Sequence, residues 1–215
     1  MTASQTATEY DASPSPAAQP RPGPLDGDPA LIGVPTFVVG SIALGMTLVG
    51  YVPAAAAGAP LAIILAATAL GQFVSAVWAA ALGQGAVAAI FGIFTGFWLS
   101  YAVLVLGLTH NWFAIGASDA TGTQALFLIS WLITIVTLTL ASLRLPAAYS
   151  LLFVLIDGAL LLVLLATLQG SAGLKAAAGY VVLSFAAVGL YLFLHVMAVA
   201  TGGTGLPLGR PALGR

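Results

Sequence analysis

Apolar residues run almost unbroken from position 31 to 201, interrupted only by short clusters of Gly, Pro, Gln, Arg and Asp. Six apolar stretches can be cut from this run, at residues 33–52, 60–82, 86–108, 123–143, 147–168 and 176–200. Stretches of about 20 residues are long enough to cross about 30 Å of hydrocarbon as helices. The breaks carry turn chemistry: Gly50-Tyr51 before Pro53, Gly83-Gln84-Gly85, a polar loop at 109–122 with Asn111 and Asp119, Arg144-Leu145-Pro146, and Gln169-Gly170-Ser171. No stretch alternates polar and apolar positions as a lipid-facing barrel strand does. Backbone amides in lipid must be satisfied within their own segment, so helices are predicted. The fold class expected is an all-α membrane protein, a six-transmembrane-helix bundle.

The ends are different material. Residues 1–27 are rich in Ala, Pro, Ser, Thr and Gln, with only Tyr10 and Leu25 as sizeable apolar groups. Such a segment buries too little surface to offset its chain entropy, so a disordered cytoplasmic tail is expected. It has neither the basic start nor the apolar run of a signal peptide. Residues 202–215, rich in Gly and Pro, are expected to form a loosely packed cytoplasmic tail. The span domain is thus 28–201. With six spans both termini share one face, together with the linkers after the second and fourth spans. That face holds Arg21, Arg144, Arg210 and Arg215, and the other holds Lys175 alone. The positive-inside tendency then predicts cytoplasmic termini in a cell (inner) membrane, with the chain multi-pass.

Composition sharpens this. Charged residues make up 5% of the chain and hydrophobic ones 60%, with a mean hydropathy of +1.10, whereas a soluble domain is about a quarter charged. The lipid bilayer is the solvent. A net charge of −1 without a basic cluster argues against nucleic acid as a partner. The chain has no cysteine, hence no disulfide or thiolate chemistry. His110 and His195 give no metal-ligand spacing, and zinc takes three or four ligands. Neither metal nor cofactor is expected. There is no nucleophile elbow or pair of carboxylates on one helix face, and Gly202-Gly203-Thr204-Gly205 follows no strand. An enzyme is not expected.

Between Leu31 and Thr201 only Asp119, Arg144, Asp157 and Lys175 are formally charged, and Asp157 alone lies inside a span. It is about 16 Å from the start of the fifth stretch at 1.5 Å per residue. A carboxylate at that depth is a candidate for function by default. An ionised, unpartnered Asp157 is unfavourable there and would repel an anion. Three readings stand open. Asp157 takes a proton while an anion passes, or the solute is neutral or cationic. Otherwise its carboxyl hydrogen-bonds a group on a neighbouring helix, with Ser184, Thr95 and Thr134 as candidate partners. His195 lies roughly 10 Å away in depth and is expected to be an inter-helix or interfacial hydrogen bonder.

In the third span Phe91, Phe94, Trp98 and Tyr101 share a helix face. Such a stripe is core unless other observations put it on a path. Gly92 and Gly96 have the GxxxG spacing that lets helices approach closely, within a subunit or between subunits.

Taken together, several segments resemble the succinate–acetate permease family (acetate uptake transporters). The opening Asp28-Pro29-Ala30-Leu31-Ile32-Gly33-Val34 with Phe37 matches the family's Asn-Pro-Ala-Pro-Leu-Gly-Leu and its following Phe. Gly71-Gln72, Phe97-Trp98-Leu99, Ser142-Leu143-Arg144, Gly179-Tyr180, Tyr191 and Leu206-Pro207-Leu208-Gly209 follow in the family's order. The likeness covers residues 28–209, with Asp28, Pro29, Ala30, Gly33, Gln72 and Trp98 as motif positions. It implies a channel-like path in each subunit, homo-oligomers assembled as hexamers, and a constriction that carries over to Phe37, Phe94 and Ile156. The family's Tyr at the second of these is Phe here, which removes a hydroxyl and leaves an apolar gate. Other departures are Asp28 for Asn, Ala79 for a Glu, Gly83-Gln84-Gly85 for Gly-Asn-Thr, and Asp157 for a small hydroxylated residue. The function expected is transport of small monocarboxylates, acetate first and succinate second, with Asp157 tuning protonation or selectivity. The alternatives are a channel for another small neutral or cationic solute, and a non-transporting membrane scaffold or sensor.

Overall fold

A computed structural model describes residues 23, 25–56 and 58–214. Of the tail expected over residues 1–27, residues 1–22 and 24 lie outside the described residues. Among the described residues six helices are long and apolar enough to cross a membrane: α1 Ala30–Leu48, α2 Leu61–Ala81, α3 Gly85–Thr109, α4 Ala120–Ala141, α5 Ala147–Gln169 and α6 Ala172–Ala200. No strand occurs among the described residues. Pro29, Pro60 and Pro146 each stand immediately before a first helical residue, where a missing N–H is not needed. α1 begins at Ala30 rather than Gly33 because Asp28 Oδ1 accepts from the Ala30 N–H at 2.9 Å. α6 begins at Ala172 rather than near Ala176 because Ser171 Oγ accepts from the Leu174 N–H at 3.3 Å, an N-cap the sequence reading overlooked. α5 ends on Gly170 at φ +62°, a left-handed conformation that glycine adopts without a Cβ clash.

α2 is not uniform. Residues Ile64–Ala69 wind as a π-helical segment, and Thr68 is packed against Gly40 of α1. Periodicity in so apolar a stretch does not reveal such a segment.

The helices close a ring in the order α1, α2, α3, α4, α5, α6 and back to α1. The α3–α4 seam is the lightest and is filled by aromatic rings. Phe97 meets Trp131 at 5.5 Å between centroids and Phe127 at 5.9 Å. Trp131 Nε1 donates to Ser100 Oγ at 3.1 Å. At the α1–α6 contact Gly179 lies against Leu48 and Val49, and Gly189 against Val38. With little hydrophobic drive between helices in lipid, this close backbone approach supplies the packing.

Both ends of the span domain are fastened. Trp78 Nε1 donates to Leu25 O at 2.7 Å and Ser75 Oγ to Pro29 O at 3.1 Å, so residues 25–29 lie on α2. The C-terminal segment does not pack loosely. Tyr191 donates its hydroxyl to Pro207 O at 2.6 Å, and His195 Nδ1 contacts Leu206 O at 2.7 Å. The Ala148 N–H donates to Leu208 O at 2.9 Å and the Leu213 N–H to Leu143 O at 3.1 Å. The chain thus returns as a strap over α6, the α4–α5 linker and the first turn of α5.

Candidate functional site

Two cavities enter the ring from opposite faces. The larger, about 600 Å³, opens on the face of the α3–α4 and α5–α6 loops and reaches Thr121, Gln124, Thr167 and Lys175. The smaller, about 300 Å³, opens on the face that carries the termini, where Asp28, Leu145 and Tyr149 line it. Phe37 of α1 and Phe94 of α3 line both. Their rings touch edge to face with centroids 5.1 Å apart, so these two side chains form the partition between the cavities.

The partition is built from the residues upward. Phe37 lies one turn above Gly33, whose missing Cβ makes room for Phe91. Phe94 lies three residues on from Phe91, on the same face of α3. Around them, Phe37 packs on Phe185 of α6 at 5.7 Å and on Trp98 at 6.2 Å, and Phe94 stacks on Phe153 of α5 at 6.2 Å. Phe37, Phe94, Trp98, Phe153 and Phe185 are all buried. Edge-to-face and offset aromatic contacts each add about 0.5–1.5 kcal/mol beyond area burial, so the partition is a cohesive aromatic plug. Ile156 is buried in the wall of the larger cavity only. The stripe Phe91, Phe94, Trp98 and Tyr101 runs along both cavities, Phe91 in the smaller and Trp98 and Tyr101 in the larger. Phe153 and Phe185 escaped the sequence reading. Nothing in a span rich in large apolar residues distinguishes a ring that faces the axis from one that faces lipid.

Polar atoms flank the plug. Gln72 is fully buried in the wall of the smaller cavity, and its Nε2 donates to Gly33 O. Its Oε1 has no partner, and neither does Trp98 Nε1 on the other side. A buried polar atom left unpaired costs about 1–3 kcal/mol. Pro29 and Ala30 are buried at the foot of α1, Ala30 in the wall of the smaller cavity. Among the described residues no group of acidic, His or Cys side chains forms a metal site.

Asp157 lines neither cavity. Although it follows Ile156, it points from α5 to α4, where Thr139 Oγ1 donates to its Oδ2 at 2.8 Å; Oδ1 is without a partner. One residue is about 100° on a helix, which turns 157 away from the wall that 156 forms. Ser184, Thr95 and Thr134, the partners expected from depth, donate instead to carbonyls within their own helices, Tyr180, Phe91 and Ser130. His195 contacts the C-terminal strap.

The family model described as the GPR1/FUN34/yaaH family matches residues 10–203. No curated protein matches the chain. Among solved structures, the one described as the bacterial acetate channel SatP superposes with a TM-score of 0.75 at 20% identity. The match covers 86% of this chain and 99% of that one. At that identity the likeness is one of fold.

Proposed function

The chain belongs to the GPR1/FUN34/yaaH family, and from that premise we propose that it is a membrane channel for small monocarboxylates, acetate first. The observation that carries this reading is the pair of cavities that enter from opposite faces and meet at Phe37 and Phe94. A scaffold that moved nothing would have no need of a 600 Å³ cavity and a 300 Å³ cavity stopped by one layer of rings. The solved structure that shares this fold is described as an acetate channel, which supports acetate as the first solute to test and succinate as the second.

In this reading Phe37 and Phe94 are the gate, with Ile156 narrowing the larger cavity beside it. The rings must turn apart for a solute to pass, because no polar group lies in the plug to replace lost water. The residues with the unpaired Trp98 N–H and Gln72 Oε1 flank the plug, Trp98 in the wall of the larger cavity and Gln72 in that of the smaller. Asp157 acts from outside the path, as a polar bridge between α4 and α5. The assembly we propose is a homo-oligomer of six subunits, each with its own path. It lies in the inner membrane with the termini and the arginines 144 and 210 facing the cytoplasm, as the basic residues suggest.

Uptake of labelled acetate by proteoliposomes that hold the full chain, compared with empty vesicles at acid and neutral pH, tests the proposal. Saturable uptake above the empty vesicles at either pH is expected. Uptake no greater than in empty vesicles at both would overturn it, and uptake of labelled ammonium or glycerol instead would point to a different small solute.

A further inference from the structure

Among the described residues each cavity is lined by a single formally charged one, and the two have opposite signs. Among the residues that line the larger cavity only Lys175 is charged, and among those that line the smaller only Asp28 is. Both are exposed at the mouths. Lys175 sits in the first turn of α6, close behind Ser171, Ala172 and Gly170, which line the same mouth. The other charged described residues, Asp119 on the loop face, Asp157 between α4 and α5, and Asp26, Arg144 and Arg210 on the terminal face, lie outside both linings. Between the two charges the walls are dominated by apolar side chains, where field lines are focused along the path rather than dispersed in water.

We propose that the path is charge-polarised and rectifies carboxylate current. Lys175 concentrates anions at the loop-face mouth, and Asp28 depletes them at the terminal-face mouth. The inference rests on the transport reading above and adds to it the charge form of the solute and two residues that act on it. With voltage driving anions from the loop face, the supply is the enriched mouth; with voltage reversed, it is the depleted one. The neutral acid feels neither charge. At equal concentrations and no voltage the two directions balance, as they must, so the asymmetry appears only under drive. Each charge stands in water at its mouth, so salt screens it: the Debye length is about 30 Å at 0.01 M and about 3 Å at 1 M.

The test is current–voltage measurement on single insertions of the full chain in planar bilayers in symmetric acetate, alongside labelled-acetate flux in vesicles. At low salt the current with anions driven from the loop face is expected to exceed the reverse current about two- to three-fold, and the ratio to approach one near 1 M salt. Because the chain has no cysteine, Lys175→Cys gives a single thiol at the larger mouth. A cationic methanethiosulfonate added to one compartment restores the wild-type ratio, an anionic one brings it to about one because both mouths then repel anions, and the reactive side reports the orientation. Asp28→Asn, which keeps an oxygen to accept from the Ala30 N–H, is expected to lower the ratio while unfolding at the wild-type temperature. A wild-type ratio of one at low salt, or a ratio indifferent to charge at both 175 and 28, overturns the proposal. So does labelled flux without current, since only the neutral acid would then cross. Absence of labelled flux as well removes the transport reading, and this inference falls with it.

Discussion

Thr139 has one hydroxyl proton and two oxygens in reach, Ile135 O at 2.9 Å and Asp157 Oδ2 at 2.8 Å. An amide at 157 can donate to Thr139 Oγ1 and leave that proton to the Ile135 carbonyl, so Asp157→Asn is expected to keep the bridge. Acetate flux should stay within about two-fold of wild type and unfolding free energy within about 1 kcal/mol, the scale of a side-chain hydrogen bond between membrane helices. A loss of flux of ten-fold or more, with unfolding unchanged, would put Asp157 on the path after all. The sequence singled out Asp157 correctly as the one intramembrane carboxylate but pointed to the wrong neighbours. Asp157 is ten residues into α5 and Thr139 two from the end of α4. Depths counted from those ends differ by about 12 Å at 1.5 Å per residue. The two side chains bond because α4 and α5 are offset along their axes, with Ser142–Pro146 spanning the step, and no pattern of apolar residues encodes an offset. Lys175, by contrast, was legible as the only basic residue on its face, but that it lines a cavity depends on the rotation of α6.

At the scale of helices, lipid makes the spans easy to read and their contacts hard. All six helices follow from apolar length, because every span must satisfy its own backbone, and four of their starts carry Pro29 with Asp28, Pro60, Pro146 and Ser171. Which glycine carries a contact does not follow, since spacing alone cannot say which face is turned to a neighbour. A Cβ at Gly179 would come within 2.8 Å of the Val49 backbone nitrogen, an atom that cannot move aside without shifting α1. A Cβ at Gly92, in the GxxxG spacing, would have only the Ala76 Cβ at 4.0 Å. The two alanine variants are therefore expected to move in opposite directions. Gly179→Ala lowers the thermal unfolding temperature of the purified protein in detergent by several degrees. Gly92→Ala leaves it unchanged or raises it, since Ala is favoured over Gly in a helix by about 0.5–1 kcal/mol. Equal losses in both would mean that α3 packs through Gly92 in a contact between subunits.

For the whole molecule, the decisive feature is that the ring is continuous while its interior is not. The lipid-facing perimeter is largely apolar, and its exposed hydroxyls, Ser130, Thr134, Thr137 and Ser184, donate to carbonyls of their own helices, while cavities of about 600 and 300 Å³ are separated only by the plug around Phe37 and Phe94. Phe94 makes the smaller structural contribution of the pair. Phe37 also packs on Trp98 and Phe185, whereas Phe94 has Phe37 and Phe153 as its ring neighbours. Removing the Phe94 ring should join the cavities while the α1–α6 contact persists, because that contact rests on Gly179 against Leu48 and Val49 and on Gly189 against Val38. Phe94→Ala is accordingly expected to raise acetate flux about three-fold or more, as an apolar constriction that no longer dewets the path, and to admit succinate faster relative to acetate. Some stability is lost with the buried ring, so flux is compared per folded protein, measured by gel filtration after reconstitution. If the variant loses stability yet its vesicles take up acetate no faster than those with wild type, Phe94 is core packing and the two cavities are not halves of one path.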